Sequence, residues 1–591
     1  MEQIFSTIQD GVWSSPNTWG GIIPPKDSAI EILHNIVLDM NATTCGIMID
    51  EGATLEFDSN KNIILDNCEN IEVMGTLRMR PSITSKHTIL FHDVNELLFV
   101  GGGMDVIDSD TGIWVRHNGV LDIQGSEKVA WCNLLKGVKK GDVTIELTKA
   151  PTGWDIGDEI SISPTTTTST STFATGFDVR IIKSITDNII TLTSGLSYDH
   201  PLMVNTFNSE IYGAEVLNLT RNVRIEGKSG GRVHINIGMI NNPSIINYVQ
   251  LRWMGPRKIS SDGYTDKVLG RYALHFHFCG DVTKGMVVEG VVARDCGSHG
   301  FVAHASNGIE FEDCITYNTY ETPYWWDVPP ETDWTNPVNN SNNISFCSCV
   351  AALIKCDPVF RGYRMAGFQL GSGIGNMLMD CVVVGNQGNA GAAGFLWPES
   401  SNYTDNVWNI TGRNIAHNNK NDGIFVWQND NHNHILNGFI IYRNGNHGIE
   451  HGAYTNSYKY SNIYLLENKG SGIFIYSLAA TNGIPGDYNY NVTFTNIKST
   501  EQLYITQHTL PGKSTLFKDC SFPKVVVSEL PKKTTNLSSG LFDFINCKLQ
   551  KSQFNILGIE PTSIIRVQDD TAFQITNTGI VNIINFLTIK Q

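Results

Sequence analysis

A glycine-led phrase returns along this chain at the spacing of one coil of a solenoid. Gly52-Ala53-Thr54-Leu55 comes back as Gly75-Thr76-Leu77 and again as Gly119-Val120-Leu121, at offsets of 23 and 44 residues, the second being two units of 22. Further on, a Gly followed by Phe or Ile recurs at Gly367, Gly394, Gly423, Gly448 and Gly472, with offsets of 27, 29, 25 and 24. Each Gly opens a short run with the period-2 alternation of a strand. Loops such as Asn418-Asn419-Lys420-Asn421-Asp422 separate the runs and suit tight turns. A strand set every 22 to 29 residues predicts an all-β chain folded as a parallel β-helix, each coil burying its inward side chains on its neighbours.

Composition excludes several classes. Hydrophobic residues make up 41% of the 591 and charged residues 17%, which is too apolar for a disordered chain. Net charge is −16, from 42 basic against 58 acidic residues, so no nucleic acid is expected as a partner. No run of 18 apolar residues predicts a membrane-spanning helix, and the first residues lack the basic and apolar regions of a secretory signal. Six of the 12 cysteines follow Asp or Asn: Cys68, Cys296, Cys314, Cys381, Cys520 and Cys547. Spread over the chain, they read as reduced, inward-facing residues at one position of the repeat.

Two stretches interrupt the coils. Between 140 and 225, alternating runs such as Asp142–Leu147, Asp158–Ile162, Asp178–Ile182 and Ile189–Leu192 predict a small β-barrel-like module, with the Thr/Ser tract 165–172 as an exposed loop. Asn336-Pro337-Val338-Asn339-Asn340 marks an insertion loop. From 490 onward, Leu516–Cys520 resembles Leu541–Cys547 about one coil later, as expected of final coils and a cap.

Several motifs then carry a resemblance. Gly11-Val12-Trp13-Ser14-Ser15-Pro16-Asn17-Thr18-Trp19-Gly20-Gly21-Ile22-Ile23-Pro24 resembles the opening of the G-eight (G8) domain, and Trp154–Ile160 and Leu219–Gly227 resemble the stretch that follows it. Gly270-Arg271-Tyr272-Ala273-Leu274-His275-Phe276-His277-Phe278-Cys279-Gly280-Asp281 is similar to an Arg-Tyr-Pro-Ile-His-Phe-His signature of the same group, with Ala273 in place of the Pro. Fibrocystin and the cell-migration-inducing hyaluronidase belong to that group. The resemblance runs from about residue 11 to about 430. It implies an extracellular or surface-associated (or virion-associated) protein in which a G-eight domain joins a right-handed parallel β-helix, with hyaluronan depolymerisation in some members. The domain reading is 1–135 for the G-eight domain and first coils, 136–227 for the inserted module and return strand, 228–490 for the central β-helix with the active groove, and 491–591 for final coils and cap.

Nine of the 16 histidines lie between 275 and 451, which points to the central coils. Placing Leu274–Phe278, Phe301–Ala305 and Tyr324–Val328 in register, at offsets of 27 and 23, puts Phe276, Ala303 and Trp326 in one apolar column and Phe278, Ala305 and Val328 in another. Both are expected to face the core, so the intervening columns, His275, Val302, Trp325 and His277, His304, Asp327, are expected to face outward into a groove. His275, His277, His304 and Asp327 are the catalytic candidates. An Asp orienting a His supplies acid/base chemistry, His277, His304 and Asp327 suit a divalent cation, and a neutral His suits proton abstraction in a lyase. An outward polar ladder that stabilises the coil stack, or a buried His pair satisfied by the N-terminal module, is the structural alternative.

A glycosidase needs a second carboxyl group. Asp281 leads for it, ahead of Asp295, Glu321 and Asp333. Trp325 and Trp427, with Tyr324 and Trp326, are candidate sugar platforms, and Arg361 and Arg364 candidate forks for acidic groups. His299 and His447 read as turn residues. Cleavage of an acidic glycosaminoglycan-like polymer such as hyaluronan is the expected function. Hydrolysis is favoured by the resemblance; a lyase and a non-catalytic adhesion or phage tail module are the rivals.

Overall fold

The computed structural model describes residues 4–259, 261, 263–325, 341–356, 365–371, 373–397, 408–426, 433–452, 457–476, 492–506, 514–528, 541–559, 564–569 and 572–582. They are almost wholly β and contain no α-helix. No helix among them is long and apolar enough to cross a membrane. The chain forms two compact units: Met1–Thr165, Thr175–Met203 and Tyr212–Gly362 make the first, and Thr166–Ala174, Val204–Ile211 and Tyr363–Gln591 the second.

The first unit is a parallel β-helix whose coils carry three strands each. Val223–Glu226, Val249–Arg252, Val292–Arg294, Ile315–Tyr320 and Val350–Lys355 stack in one parallel ladder. Gly112–His117, His234–Ile240, Leu274–Gly280, Phe301–Ser306 and Tyr324–Trp325 form the second. Val120–Gln124, Ile245–Asn247, Val287–Glu289, Glu310–Glu312 and Ser345–Cys347 form the third. Phe276, Phe301, Tyr324, Phe311 and Phe346 meet inside, where Phe301 stacks on Tyr324 at 5.2 Å. Near the start, Trp13 and Trp19 are buried edge to face, and Trp19 donates its indole N–H to the Trp13 carbonyl.

A left-handed residue turns the third ladder into the first in successive coils: Tyr248, Gly290, Asp313 and Ser348, with φ between 51° and 61°. Asp and Asn tolerate that conformation better than most side chains, which explains the Asx-Cys dipeptides: Asp295, Asp313, Asp380, Asp519 and Asn546 all have positive φ, and the Cys that follows each is buried. Two expectations are corrected here. Asp313-Cys314 precedes the strand Ile315–Tyr320, whereas Asp295-Cys296 follows the strand Val292–Arg294, so the dipeptide marks two different corners. Cys68 is not reduced but forms a disulfide with Cys45, 23 residues and one coil earlier.

Six short strands leave the coil stack as an antiparallel sheet, running Trp131–Asn133, Glu215–Asn218, Glu159–Ile162, Asp178–Thr186, Ile189–Leu192, Thr144–Glu146. A Leu134–Leu147 bridge joins its two edges, around Ile145, Leu147, Ile160, Ile182 and Ile190. The helix resumes beside the point it left: His87–Phe91 pairs in parallel with Val223–Glu226.

The second unit continues the same economy of stacked side chains. Tyr460, Phe494, Phe517 and Phe544 stack at 4.7–4.8 Å with ring planes within 7°. Asn386, Asn419, Asn444 and Asn468 form a buried amide ladder, one per coil. The Thr/Ser tract, expected as an exposed loop, is tethered: Asn418 donates to the carbonyls of Thr166 and Phe173, and Gln387 to that of Ala174. At the far end Ile564–Gln568 pairs in parallel with Leu541–Ile545 and antiparallel with Phe573–Thr576.

Candidate functional site: a buried histidine cluster

In the second ladder of the first unit, Asn236 pairs with His275, His275 with Val302, and Val302 with Trp325, while Gly238 pairs with His277 and His277 with His304. Because Leu274, Phe276, Phe301 and Tyr324 take the inner side, alternation sends His275, His277 and His304 to the other face. Their ring centroids lie 4.8 Å apart for His275–His277, 4.9 Å for His277–His304 and 6.3 Å for His275–His304. One ligand atom of each falls within 4.8 Å of the others, and this is the one such three-residue group among the described residues.

That face is not an open groove. His275, His277 and His304 are 0%, 8% and 5% exposed. Tyr272 lies 4.9 Å from His275, and Phe278 packs 5.0 Å from His277 and 4.6 Å from His304. Phe278 therefore does not join the core. It takes φ 53°, at the break in register after His277, and this bulge turns its ring onto the histidines. Ala305, next to His304, takes φ 46°.

Cations flank the cluster. Buried Arg271 pairs with Asp110 at 2.8 Å, donates to the Gly102 carbonyl and lies over Trp114. Arg116 donates to the carbonyls of Val115, Asn236 and Met104. Burial is the main cause that holds all three imidazoles neutral: His275 falls well below the ordinary histidine value, His277 to about 3 and His304 to about 4. For His277 the neighbouring His304, Arg116 and Arg271 add to it. Imidazoles this reluctant to take a proton are weak general bases and are not general acids near neutral pH. Neutral imidazole is what a metal ion binds.

The tautomer of His275 is set by its surroundings. Its Nδ1 lies 3.0 Å from the Gly270 carbonyl, which only accepts, and 3.4 Å from Asn236 Nδ2; the shorter contact assigns the proton to Nδ1 and the lone pair to Nε2, and Asn236 then donates to Gly270 as well. Nδ1 of His277 is buried and makes no hydrogen bond.

The other candidates are dispersed. Asp281 is exposed at a turn, paired with Lys284 at 2.7 Å and accepting from Asn307, and those bonds hold its carboxyl below the usual range. Asp295 is engaged by Arg252 and Arg294, and Glu321 by Arg257. Tyr324, a suggested platform, is buried in the core and donates its hydroxyl to the Cys314 carbonyl. Trp325 is half-buried, with His299 stacked 4.0 Å from its ring and Lys267 Nζ 6.0 Å from the centroid. His299 reaches the Thr322 carbonyl, and His447 accepts from the Ser471 N–H. Trp326, Asp327, Val328, Asp333, Arg361, Arg364, Trp427 and Asp430 lie outside the described residues.

Sequence reasoning missed Arg116, Asn236, Gly238 and Tyr272. A Cβ at Gly238 would stand 3.0 Å from Arg116 Nη1, so the absent side chain admits that guanidinium beside His277. The available signal was the Gly at the register position of His277, one coil earlier.

Residues 229–326, which hold the whole cluster, match the family model described as CEMIP beta-helix. A G8 domain-containing protein of Dictyostelium discoideum is 22% identical over 365 residues, covering 58% of this chain and 30% of its own. Fibrocystin-L of Mus musculus is 25% identical over 352 residues, 52% of this chain and 8% of its own. The human cell surface hyaluronidase CEMIP2 is 31% identical over 131 residues, 18% of this chain and 8% of its own. The chain thus spans under a third of the length of each of these relatives.

Proposed function

We propose, from a chain whose central coils match the CEMIP beta-helix, that it depolymerises a long acidic polysaccharide of the hyaluronan class outside the cell, at the coils carrying His275, His277 and His304. One observation carries the reading: the three-histidine cluster falls inside the matched segment, and a relative sharing similarity with this chain is named a cell surface hyaluronidase. The guanidinium of Arg116 beside the cluster, which no carboxylate among the described residues neutralises through a hydrogen bond, adds local positive charge on an otherwise acidic protein, as an anionic polymer requires. The Cys45–Cys68 disulfide agrees with an oxidising compartment.

In this reading Asp327, two residues beyond Trp325 in the sequence, supplies a carboxylate, Trp325 and Trp427 contact sugar, and Arg361 and Arg364 contact acidic groups. Asp281, which pairs with Lys284 and Asn307 at the surface, is the proposed second carboxyl group. Hydrolysis is preferred to elimination on the relative's name alone.

The test is incubation with a panel of acidic and neutral polysaccharides, following chain length. Shortening of hyaluronan, without the ultraviolet absorbance of an unsaturated uronate, is expected. That absorbance would assign a lyase instead. Tight binding with no shortening of any polymer would reject cleavage in favour of an adhesion module.

A further inference from the structure

We infer that His275, His277 and His304 form a three-imidazole site for one borderline divalent transition ion of the Zn²⁺ type, with His275 as the third protein ligand. The geometry is the argument. His275 and His277 are two apart on one strand and share a face, and His304 is the direct register partner of His277 on the next coil. Their ligand atoms already fall within 4.8 Å of one another. Zinc–nitrogen bonds of about 2.0–2.1 Å in a tetrahedral site put nitrogens roughly 3.3 Å apart. Binding therefore requires the three side chains to draw their nitrogens together by up to about 1.5 Å, about Cα positions that the strands fix.

The supporting shell points the same way. Metal-bound imidazoles ordinarily give their other N–H to a carbonyl or carboxylate, and His275 gives Nδ1–H to Gly270. The donor set is nitrogen only among the described residues, which selects a borderline ion over Ca²⁺ or Mg²⁺, whose ligands are oxygens. Three protein ligands leave a fourth position open, the arrangement that distinguishes catalytic from structural zinc.

Electrostatics then constrain what fills that position. Arg271 is balanced by Asp110, but Arg116 is spent on carbonyl groups and keeps its charge beside His277. A guanidinium opposes a bare dication and favours one carrying an anionic fourth ligand, either hydroxide or the carboxylate of an acidic sugar. The metal site stands independently of the proposed polymer.

The experiment uses the full chain, stripped by chelator and titrated with Co²⁺ as a visible probe and Zn²⁺ as competitor. One Co²⁺ per chain is expected, with the d–d bands of a four- or five-coordinate ion, displaced by Zn²⁺. His277→Gln and His304→Gln should each weaken uptake by more than the roughly 10- to 100-fold that loss of a mere supporting partner costs. His299→Gln, which alters a nearby histidine outside the triad, should bind as the parent does. His304→Ala is read alongside the Gln variant, with circular dichroism to confirm folding. Absence of Co²⁺ and Zn²⁺ uptake by the folded parent overturns the site. So does uptake unchanged in both Gln variants, or equal loss in His299→Gln. A protein that binds one ion and leaves every polysaccharide intact defeats the depolymerase reading and leaves the metal site standing.

Discussion

Asn444 sits fully buried in the amide ladder of the second unit, donating Nδ2–H to Asn468 Oδ1 at 2.9 Å while its own Oδ1 accepts from the backbone and side chain of Asn419. It also reaches the Ala416 carbonyl. Every polar atom of this side chain is thus committed to a coil above or below.

Asn444→Ala should therefore destabilise more than its size suggests. It strands buried donors and acceptors on two coils, each costing about 1–3 kcal/mol, so a loss of about 3–5 kcal/mol is expected from the denaturant midpoint. A change under about 1 kcal/mol would mean that water repairs the ladder.

At the histidine cluster, His277→Ala and His304→Ala should each lower kcat/KM on a cleaved polysaccharide by at least about 100-fold, as expected for removing a ligand of the inferred ion rather than a supporting partner. Steady-state depolymerisation assays check this. Because both rings are buried, some loss of stability accompanies the change, and the Gln variants separate the two effects. Asp327→Asn should behave similarly if that carboxylate acts with the imidazoles.

Asp422, fully buried on the second unit, faces Glu450, and burial, followed by the charge of Glu450, raises its carboxyl well above the ordinary value. Its Oδ1 accepts the His447 N–H. A raised folded-state pKa means that the native chain holds a proton which the unfolded chain releases. Stability is then greatest below the unfolded carboxyl value and falls as pH rises from there through the folded one. Asp422→Asn should remove that dependence, raising the thermal midpoint near pH 7 while changing it little near pH 4. Identical pH profiles for parent and variant would refute the assignment.

Thiol titration in denaturant should find ten free thiols, the 12 cysteines of the sequence less the Cys45–Cys68 pair. Reducing that bond, which closes a loop of about one coil, should cost about 3 kcal/mol.

Much of the fold was legible because a β-helix writes its period into the chain. The 27- and 23-residue offsets set His277 against His304 and Val302 against Trp325, as the strand register has them. Burial of the histidines was legible only as the structural alternative of a His pair covered by the N-terminal module, because its neighbours Arg116 and Met104 come from a coil more than 150 residues away. The bulge at Phe278 was equally hidden: alternation predicts a side until one left-handed residue reverses it. The Cys45–Cys68 pair was readable in principle, because 23 residues is one coil and stacks the two side chains. The placement of Asp327 stays with the proposal.

The inserted antiparallel module has a consequence for how such chains grow. Its first and last strands are partners, Trp131 opposite Leu217, so it departs and returns through neighbouring points. Loop-closure entropy rises by only about 0.6 kcal/mol per doubling of length, and a guest whose ends are already clasped adds less. Strand His87–Phe91 pairs with Val223–Glu226 across the insertion. A coil corner is in this sense a port: whole domains can be acquired or lost there without altering the register of anything that follows.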